Sequence, residues 1–160
     1  MKLTILGSGT AIVTARRGSS GYLIKIADKT LLLDSGSGIL KKIAEASSSF
    51  KEIDYAIYTH LHPDHVTDLI SLLFALRIPS NYKSKDLTVI GPAGMKEFHR
   101  NLTETFNNFI EPRGYELTVN ELSSGYLDFE NFRLTSSLIN HHEGSLAYRV
   151  ESKDGKSLVY

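Results

Sequence analysis

Apolar and polar positions in the first part of the chain form short runs broken by glycine. Leu3 to Leu6 alternates weakly and stops at Gly7-Ser8-Gly9-Thr10, which predicts a strand and a tight turn. Tyr22 to Ile26 and Thr30 to Leu33 predict two more strands, joined across Ala27-Asp28-Lys29; the second runs into Asp34-Ser35-Gly36-Ser37-Gly38. The period then changes. Apolar residues at 39, 40, 43 and 44 have helical spacing, and Ser47-Ser48-Ser49 ends that helix. Ile53 to Thr59 reads as a strand. Val66, Leu69, Ile70, Leu73 and Leu76 mark one face of a helix packed on a sheet, stopped by Ile78-Pro79-Ser80-Asn81. Leu87 to Ile90 is a short strand closed by Gly91-Pro92. Met95, Phe98, Leu102, Phe106 and Phe109 mark a second long helix, whose aromatic stripe has the spacing of core. Strands follow at roughly 115–121, 126–129, 132–140, 145–151 and 157–160, with Asp154-Gly155 as a hairpin turn. This order predicts a mixed α/β layering in which helices cover sheet faces.

Composition narrows the chemistry. The 160 residues fit one domain or a large piece of one, with 41% hydrophobic and 22% charged residues. Lys+Arg and Asp+Glu balance at 18 each, so bulk charge points to neither nucleic acid nor a membrane surface. There is no cysteine, so any metal must be held by imidazole and carboxylate, a donor set that suits zinc, manganese or iron. No apolar run approaches membrane-spanning length and the opening strand is too short for a signal peptide, so the expected location is cytoplasmic, with no membrane partner. Gly7 and Gly9 invite a dinucleotide-binding reading, but that fingerprint needs a third glycine where Ile12 stands, and loop chemistry follows instead of a helix.

The densest chemistry lies in Thr59-His60-Leu61-His62-Pro63-Asp64-His65, between a strand and a helix. His60 and His62 are two apart on an extended segment, so both imidazoles reach the same side and one ion. Asp64 and His65 lie where the helix begins, and a turn restricted by Pro63 swings them toward a second ion. Two metals roughly 3.5–4 Å apart are a standard arrangement for hydrolysis. Asp64 could instead cap the helix; ligand or general base fits this setting better.

These residues resemble the His-x-His-x-Asp-His signature of the metallo-β-lactamase fold superfamily, matched in full by His60, His62, Asp64 and His65. Leu6-Gly7-Ser8-Gly9-Thr10 resembles the family's opening, and Leu31-Leu32-Leu33-Asp34-Ser35-Gly36 its strand ending in an Asp that buttresses the site. His141, with Ser145, Tyr148 and Arg149, resembles the segment carrying the next metal-binding His in the ribonuclease Z-like branch; His142 is the alternative. The resemblance implies an αββα sandwich, here the N-terminal half plus the first strands of the second half. It implies two divalent ions, zinc or else manganese or iron. One would be held by His60, His62 and His141, the other by Asp64 and His65, with Asp64 also catalytic. The family's bridging Asp and last His have no counterpart before Tyr160. The expectation is therefore an incomplete fold with an open apolar sheet face, weak or incomplete metal binding, and a second copy or another chain as partner.

The implied reaction is phosphodiester hydrolysis by a metal-bound hydroxide on a small-molecule or nucleic-acid substrate. Arg16 and Arg17 sit in a loop that could meet a phosphate. Three alternatives stay open: tRNA 3′ processing, hydrolysis of another ester, thioester or lactone, and a non-catalytic binding module. Against tRNA, Pro63 stands where that branch usually has Gly, and Val150 to Lys156 leaves room for a hairpin rather than a long tRNA-gripping arm.

Overall fold

The computed structural model describes residues 1–12, 14–78 and 85–160. β1 (Lys2–Gly7), β2 (Gly21–Ile26), β3 (Lys29–Leu33), β4 (Tyr55–Ile57), β5 (Leu87–Gly91) and β6 (Leu117–Glu121) lie in chain order across one sheet. β1 to β3 pair antiparallel, and β3 to β6 pair parallel. Parallel neighbours need crossovers. α1 (Ile39–Glu45) supplies the first, α2 (Pro63–Val66) and α3 (Asp68–Leu76) the second, and α4 (Met95–Phe106) the third. β7 (Gly125–Asp128), β8 (Phe132–Leu138), β9 (Leu146–Ser152) and β10 (Ser157–Val159) form a second, antiparallel sheet in the order β10-β9-β8-β7.

Two apolar cores flank the first sheet. On its helical side Leu23, Leu32, Ala56 and Val89 pack with Ile43, Leu69, Leu73, Leu76 and Met95. On the other side Ile24, Leu31, Leu33, Ile57 and Ile90 meet Phe132, Leu134, Leu146, Tyr148 and Val150 of the second sheet. Successive residues of β3 thus enter opposite cores, which is why it reads as an unbroken leucine run. The layers run helices, sheet, sheet, as the expected sandwich requires.

Three expectations need correction. The helix expected from Val66 breaks at Thr67, because the Asp68 N–H donates to the Ser35 carbonyl at 2.8 Å instead of continuing the helical ladder. The strand expected over 53–59 is confined to Tyr55–Ile57, and the helix expected to reach Phe109 ends at Phe106 in a 3₁₀ turn, Asn107–Phe109. The outer face of the second sheet mixes polar and apolar side chains. That face carries the rows Ser157-Glu151-Arg133-Asp128 and Val159-Arg149-Thr135-Tyr126. Arg133 pairs there with Asp128 at 2.6 Å and Arg149 with Glu151 at 2.8 Å. Apolar side chains are exposed on that face, where Val159 is 67% and Tyr126 63% exposed, and on edge strand β1, where Leu3 is 40% and Ile5 63% exposed.

The stop at Pro79-Ser80-Asn81 lies outside the described residues. The Asp154-Gly155 hairpin forms as expected, with Ser152 N–H donating to the Lys156 carbonyl at 2.9 Å.

Candidate metal centre

The cluster sits where β3 and β4 end, the usual place for ligands on parallel strands. β3 runs into Asp34, which has φ 52 and donates its N–H to the Ile57 carbonyl at 2.8 Å. Its carboxylate is fully buried and takes four donors. Oδ1 accepts from Thr59 N at 2.9 Å. Oδ2 accepts from Thr59 Oγ1 at 2.9 Å, His65 Nδ1 at 2.6 Å and the Tyr160 hydroxyl at 2.7 Å. This number of donors offsets the cost of burying a carboxylate.

The network assigns the histidine protons. An ionised carboxylate only accepts, so the Thr59 hydroxyl hydrogen goes to Asp34. Thr59 Oγ1 then has only lone pairs to offer His60 Nδ1, 2.9 Å away. His60 must therefore donate from Nδ1, which leaves Nε2 unprotonated. His65 likewise donates from Nδ1 to Asp34, which turns Nε2 toward Asp64 Oδ2, 3.6 Å away. This is the tautomer in which an imidazole binds metal through Nε2.

His60 Nε2 faces His62 Nδ1 at 3.1 Å. One ligand atom each from His60, His62 and His141 falls within 4.8 Å of the other two. The His60 ring lies 4.1 Å from that of His65 and 4.9 Å from that of His141. Burial, reinforced by the neighbouring His65, holds His60 down at about 4, so it is neutral at physiological pH. Burial opposes protonation of His65 too, but the hydrogen bond and charge of Asp34 outweigh it and its pKa is raised. Three convergent imidazoles, one of them held neutral and oriented by hydrogen bonds, fit a divalent ion. Asp64 and His65 form an adjacent pair.

The remaining candidates separate. His142 packs against the His62 ring at 4.8 Å, but its Nδ1 bonds the Glu143 carbonyl at 3.1 Å, and it is not in the three-histidine group. Ser145 is fully buried. It accepts from His142 N at 3.2 Å and its carbonyl accepts from Ile139 N at 3.0 Å, so it closes the loop that presents His141. Arg16 and Arg17 are exposed. Their turn closes on Thr14, and their loop is rooted beside Gly36, whose N–H donates to the Ser20 carbonyl at 3.0 Å. A Cβ on Gly36 would lie 1.9 Å from the Asp64 carbonyl and 2.4 Å from Ser19 Cβ, so only glycine lets the loop, the β3 end and α2 meet.

Sequence reasoning missed Thr59 and Tyr160. Thr59 was visible as a hydroxyl directly before the first ligand candidate. Tyr160, bridged to Ser20 Oγ at 2.6 Å, reaches Asp34 only through the second sheet, and no local pattern marks it.

A family model described as anti-Pycsar protein Apyc1 matches residues 1–108. The ribonuclease Z of Clostridium acetobutylicum is 31% identical over 158 residues, covering 94% of this chain and 49% of that protein. The ribonuclease Z of Archaeoglobus fulgidus is 28% identical, covering 96% and 48%. The chain thus spans about half the length of the curated relatives it matches. Among solved structures, the short form of human tRNase Z superposes with a TM-score of 0.82 at 22% identity, covering 99% of this chain and 67% of that one. The metallo-β-lactamase fold protein YhfI of Bacillus subtilis gives 0.79 at 23% identity, covering 99% and 61%.

Proposed function

The chain belongs to the family described as anti-Pycsar protein Apyc1 and has the metallo-β-lactamase fold of ribonuclease Z-like proteins, and on that premise we propose that it serves as a metal-dependent phosphodiesterase. The observation that carries this reading is the convergence of His60, His62 and His141 within 4.8 Å. These three would hold one divalent ion, zinc or alternatively manganese or iron. His65 Nε2 and Asp64 would hold a second. A bound divalent ion supplies Lewis acidity, lowering the pKa of water and neutralising charge on phosphoryl oxygens.

The chain's own residues do the rest. Asp34 and Thr59 hold the two rings through their Nδ1–H groups, so that Nε2 is the ligand atom each offers to a metal. Asp64, with 17% of its side chain exposed, accepts the proton of the attacking water as a new P–O bond forms and the ester P–O bond breaks, and the departing ester oxygen leaves as the alcohol with a proton from solvent. The exposed Arg16 and Arg17 meet the non-reacting phosphate oxygens.

Hydrolysis of a bis-aryl phosphodiester by zinc- or manganese-loaded protein tests this. Asp64→Ala and His141→Ala should each lose the activity while keeping the fold. Turnover unchanged in either variant, or absent from fully loaded protein, would sink the proposal. The 31% identity to a ribonuclease Z favours a second reading, tRNA 3′ processing. The close hairpin between β9 and β10 leaves no arm for gripping tRNA in this interval. Cleavage of a tRNA precursor bearing a 3′ trailer, at a rate above that of the aryl ester, would favour the second reading.

A further inference from the structure

The far end of the helical layer carries a second concentration of unused polar groups. Arg77 follows α3 and is only 9% exposed, and its Nη1 has no hydrogen-bond partner. The buried Tyr115 hydroxyl is also unpartnered. Arg77 lines a pocket of about 310 Å³ with Arg113, Asn107, Asn108 and Phe109. Among the described residues neither guanidinium has an ion-pair partner. Residues 79–84, which follow Arg77, include no Asp or Glu that could supply one. Burying donors without an acceptor is costly, so a pocket built this way is short of an anion. Burial also pushes the Tyr115 hydroxyl up to about 12 against the pull of the nearby Arg77, which keeps it a donor.

Phe109 joins this pocket to a second one. It is 63% exposed and also lines an apolar groove of about 420 Å³ with Ile70, Phe74, Phe106 and Ile110. Phe74 and Phe106 are themselves 45% and 38% exposed. An arginine–asparagine pocket beside exposed aromatic rings matches a ligand with a phosphate at one end and a flat apolar ring at the other. We propose that Arg77, Arg113, Asn107, Asn108 and Phe109 form a nucleotide site, with the phosphate on the guanidiniums and the base against the phenyl rings.

This site is separate from the metal centre. α3 begins at Asp68, whose N–H is held by Ser35 beside Asp34, and Arg77 follows its last residue. Nine residues of helix place the two ends about 13 Å apart.

The test uses 15N-labelled protein kept metal-free with a chelator, so that the metal centre does not compete for phosphate. Inorganic phosphate, ribose 5-phosphate and adenosine 5′-monophosphate are titrated while the side-chain amides of Asn107 and Asn108 are followed. Saturable shifts are expected with all three, tightest for the nucleotide. Arg113→Gln, an exposed change that leaves packing intact, should weaken all three by about tenfold. Phe109→Ala should weaken only the nucleotide, again by about tenfold. Arg77→Lys should weaken all three if it folds. No saturable shift at these amides, or shifts undiminished by Arg113→Gln, would overturn the anion pocket. A nucleotide no tighter than ribose 5-phosphate would overturn the assignment of the base to the rings.

Discussion

Replacing Thr59 by Val removes one oxygen and keeps the side chain's shape, so it isolates the hydroxyl that connects Asp34 to His60. Two buried hydrogen bonds go with it. Asp34 keeps three of its four donors, from Thr59 N, His65 and Tyr160, so the carboxylate loses little. The larger loss is at His60, which is only 6% exposed and is left with an Nδ1–H facing a methyl group. An unsatisfied buried donor costs about 1–3 kcal/mol, so Thr59→Val should unfold in urea with stability lowered by about 2 kcal/mol. The ring can relieve the penalty by moving its proton to Nε2, which destroys the ligand tautomer. Zinc affinity, measured by competition with a chromogenic chelator, should then fall by about 10–100-fold, the range typical for lost outer hydrogen bonds at metal sites. Thr59→Ser keeps the hydroxyl and should bind zinc nearly as the parent does. The 15N shifts of His60 report the tautomer directly in metal-free protein: Nδ1-protonated in the parent and in the Ser variant, mixed in the Val variant. If Thr59→Val were destabilised yet bound zinc as tightly as Thr59→Ser, the hydroxyl would be a packing element and the proton assignment for His60 would be wrong.

Calorimetric titration with zinc should show one tight ion per chain, because three imidazoles converge at one point whereas Asp64 and His65 offer only a pair; two equally tight sites would contradict this. Asp68 accepts from Gly38 N at 3.2 Å and Leu40 N at 2.8 Å and so caps α1 from another helix; Asp68→Ala should cost about 1–3 kcal/mol in urea unfolding, and a loss too small to measure would refute the cap. Gly36→Ala forces a Cβ into the Asp64 carbonyl and should cost about 1–3 kcal/mol or more together with zinc affinity; retention of both would show that the loop yields. In metal-free protein His60 has a folded pKa of about 4, below its value in the unfolded chain. The unfolded state therefore binds the extra proton first, and this residue's contribution to stability should be lost as pH falls from about 6.5 toward 4. His60→Gln should flatten that part of the stability–pH curve, and an unchanged slope would argue against a buried neutral imidazole.

The fold was legible where one side chain period held over several residues. β3, doubly buried, reads as a continuous leucine run, and α3 showed its stripe at Leu69, Leu73 and Leu76. What escaped detection depended on long-range hydrogen bonds. The break at Thr67 comes from the Ser35 carbonyl, more than thirty positions earlier, and local helical periodicity carries no trace of it. The cap on α1 comes from Asp68 for the same reason, since Gly38 has no side chain to cap with. At the site, the ligand candidates were legible because metal chemistry restricts residue type and spacing. The role of Ser145 was not legible, because a serine near a ligand candidate can face either solvent or backbone, and the residue type alone does not decide between them. The alternation in β8 and β9, which places Arg133, Thr135, Arg149 and Glu151 outward, is a period-two pattern present in the sequence.

The position of Asp34 explains why this site and this fold depend on each other. Its donors come from three places: Thr59 just after β4, His65 in α2, and Tyr160 just past β10. The first two belong to the sheet and helices that carry the ligand candidates. The third belongs to the second sheet, where Tyr160 and Tyr148 exchange backbone hydrogen bonds at 2.8 Å and the Tyr148 hydroxyl donates to the Tyr58 carbonyl at 3.1 Å. Leu146 N–H adds a bond to the Thr59 carbonyl at 2.9 Å, immediately after the loop that carries His141. His141 can therefore reach His60 and His62 only when the two sheets are packed, and the same packing delivers the fourth donor to the carboxylate that orients His65. A buried carboxylate short of a donor is costly, so sheet packing and imidazole orientation are coupled through one side chain. Asp34 also occupies a left-handed backbone position, uncommon for a residue with a side chain, and its contacts hold it there. Replacing Tyr160 by Phe removes only the hydroxyl and leaves the ring against Tyr22. If the coupling is real, that one atom should lower stability by about 1–3 kcal/mol and weaken zinc binding at His60, His62 and His141, none of which Tyr160 is bonded to. Loss of stability with unchanged zinc affinity would separate the two and show that the sheets pack independently of the site.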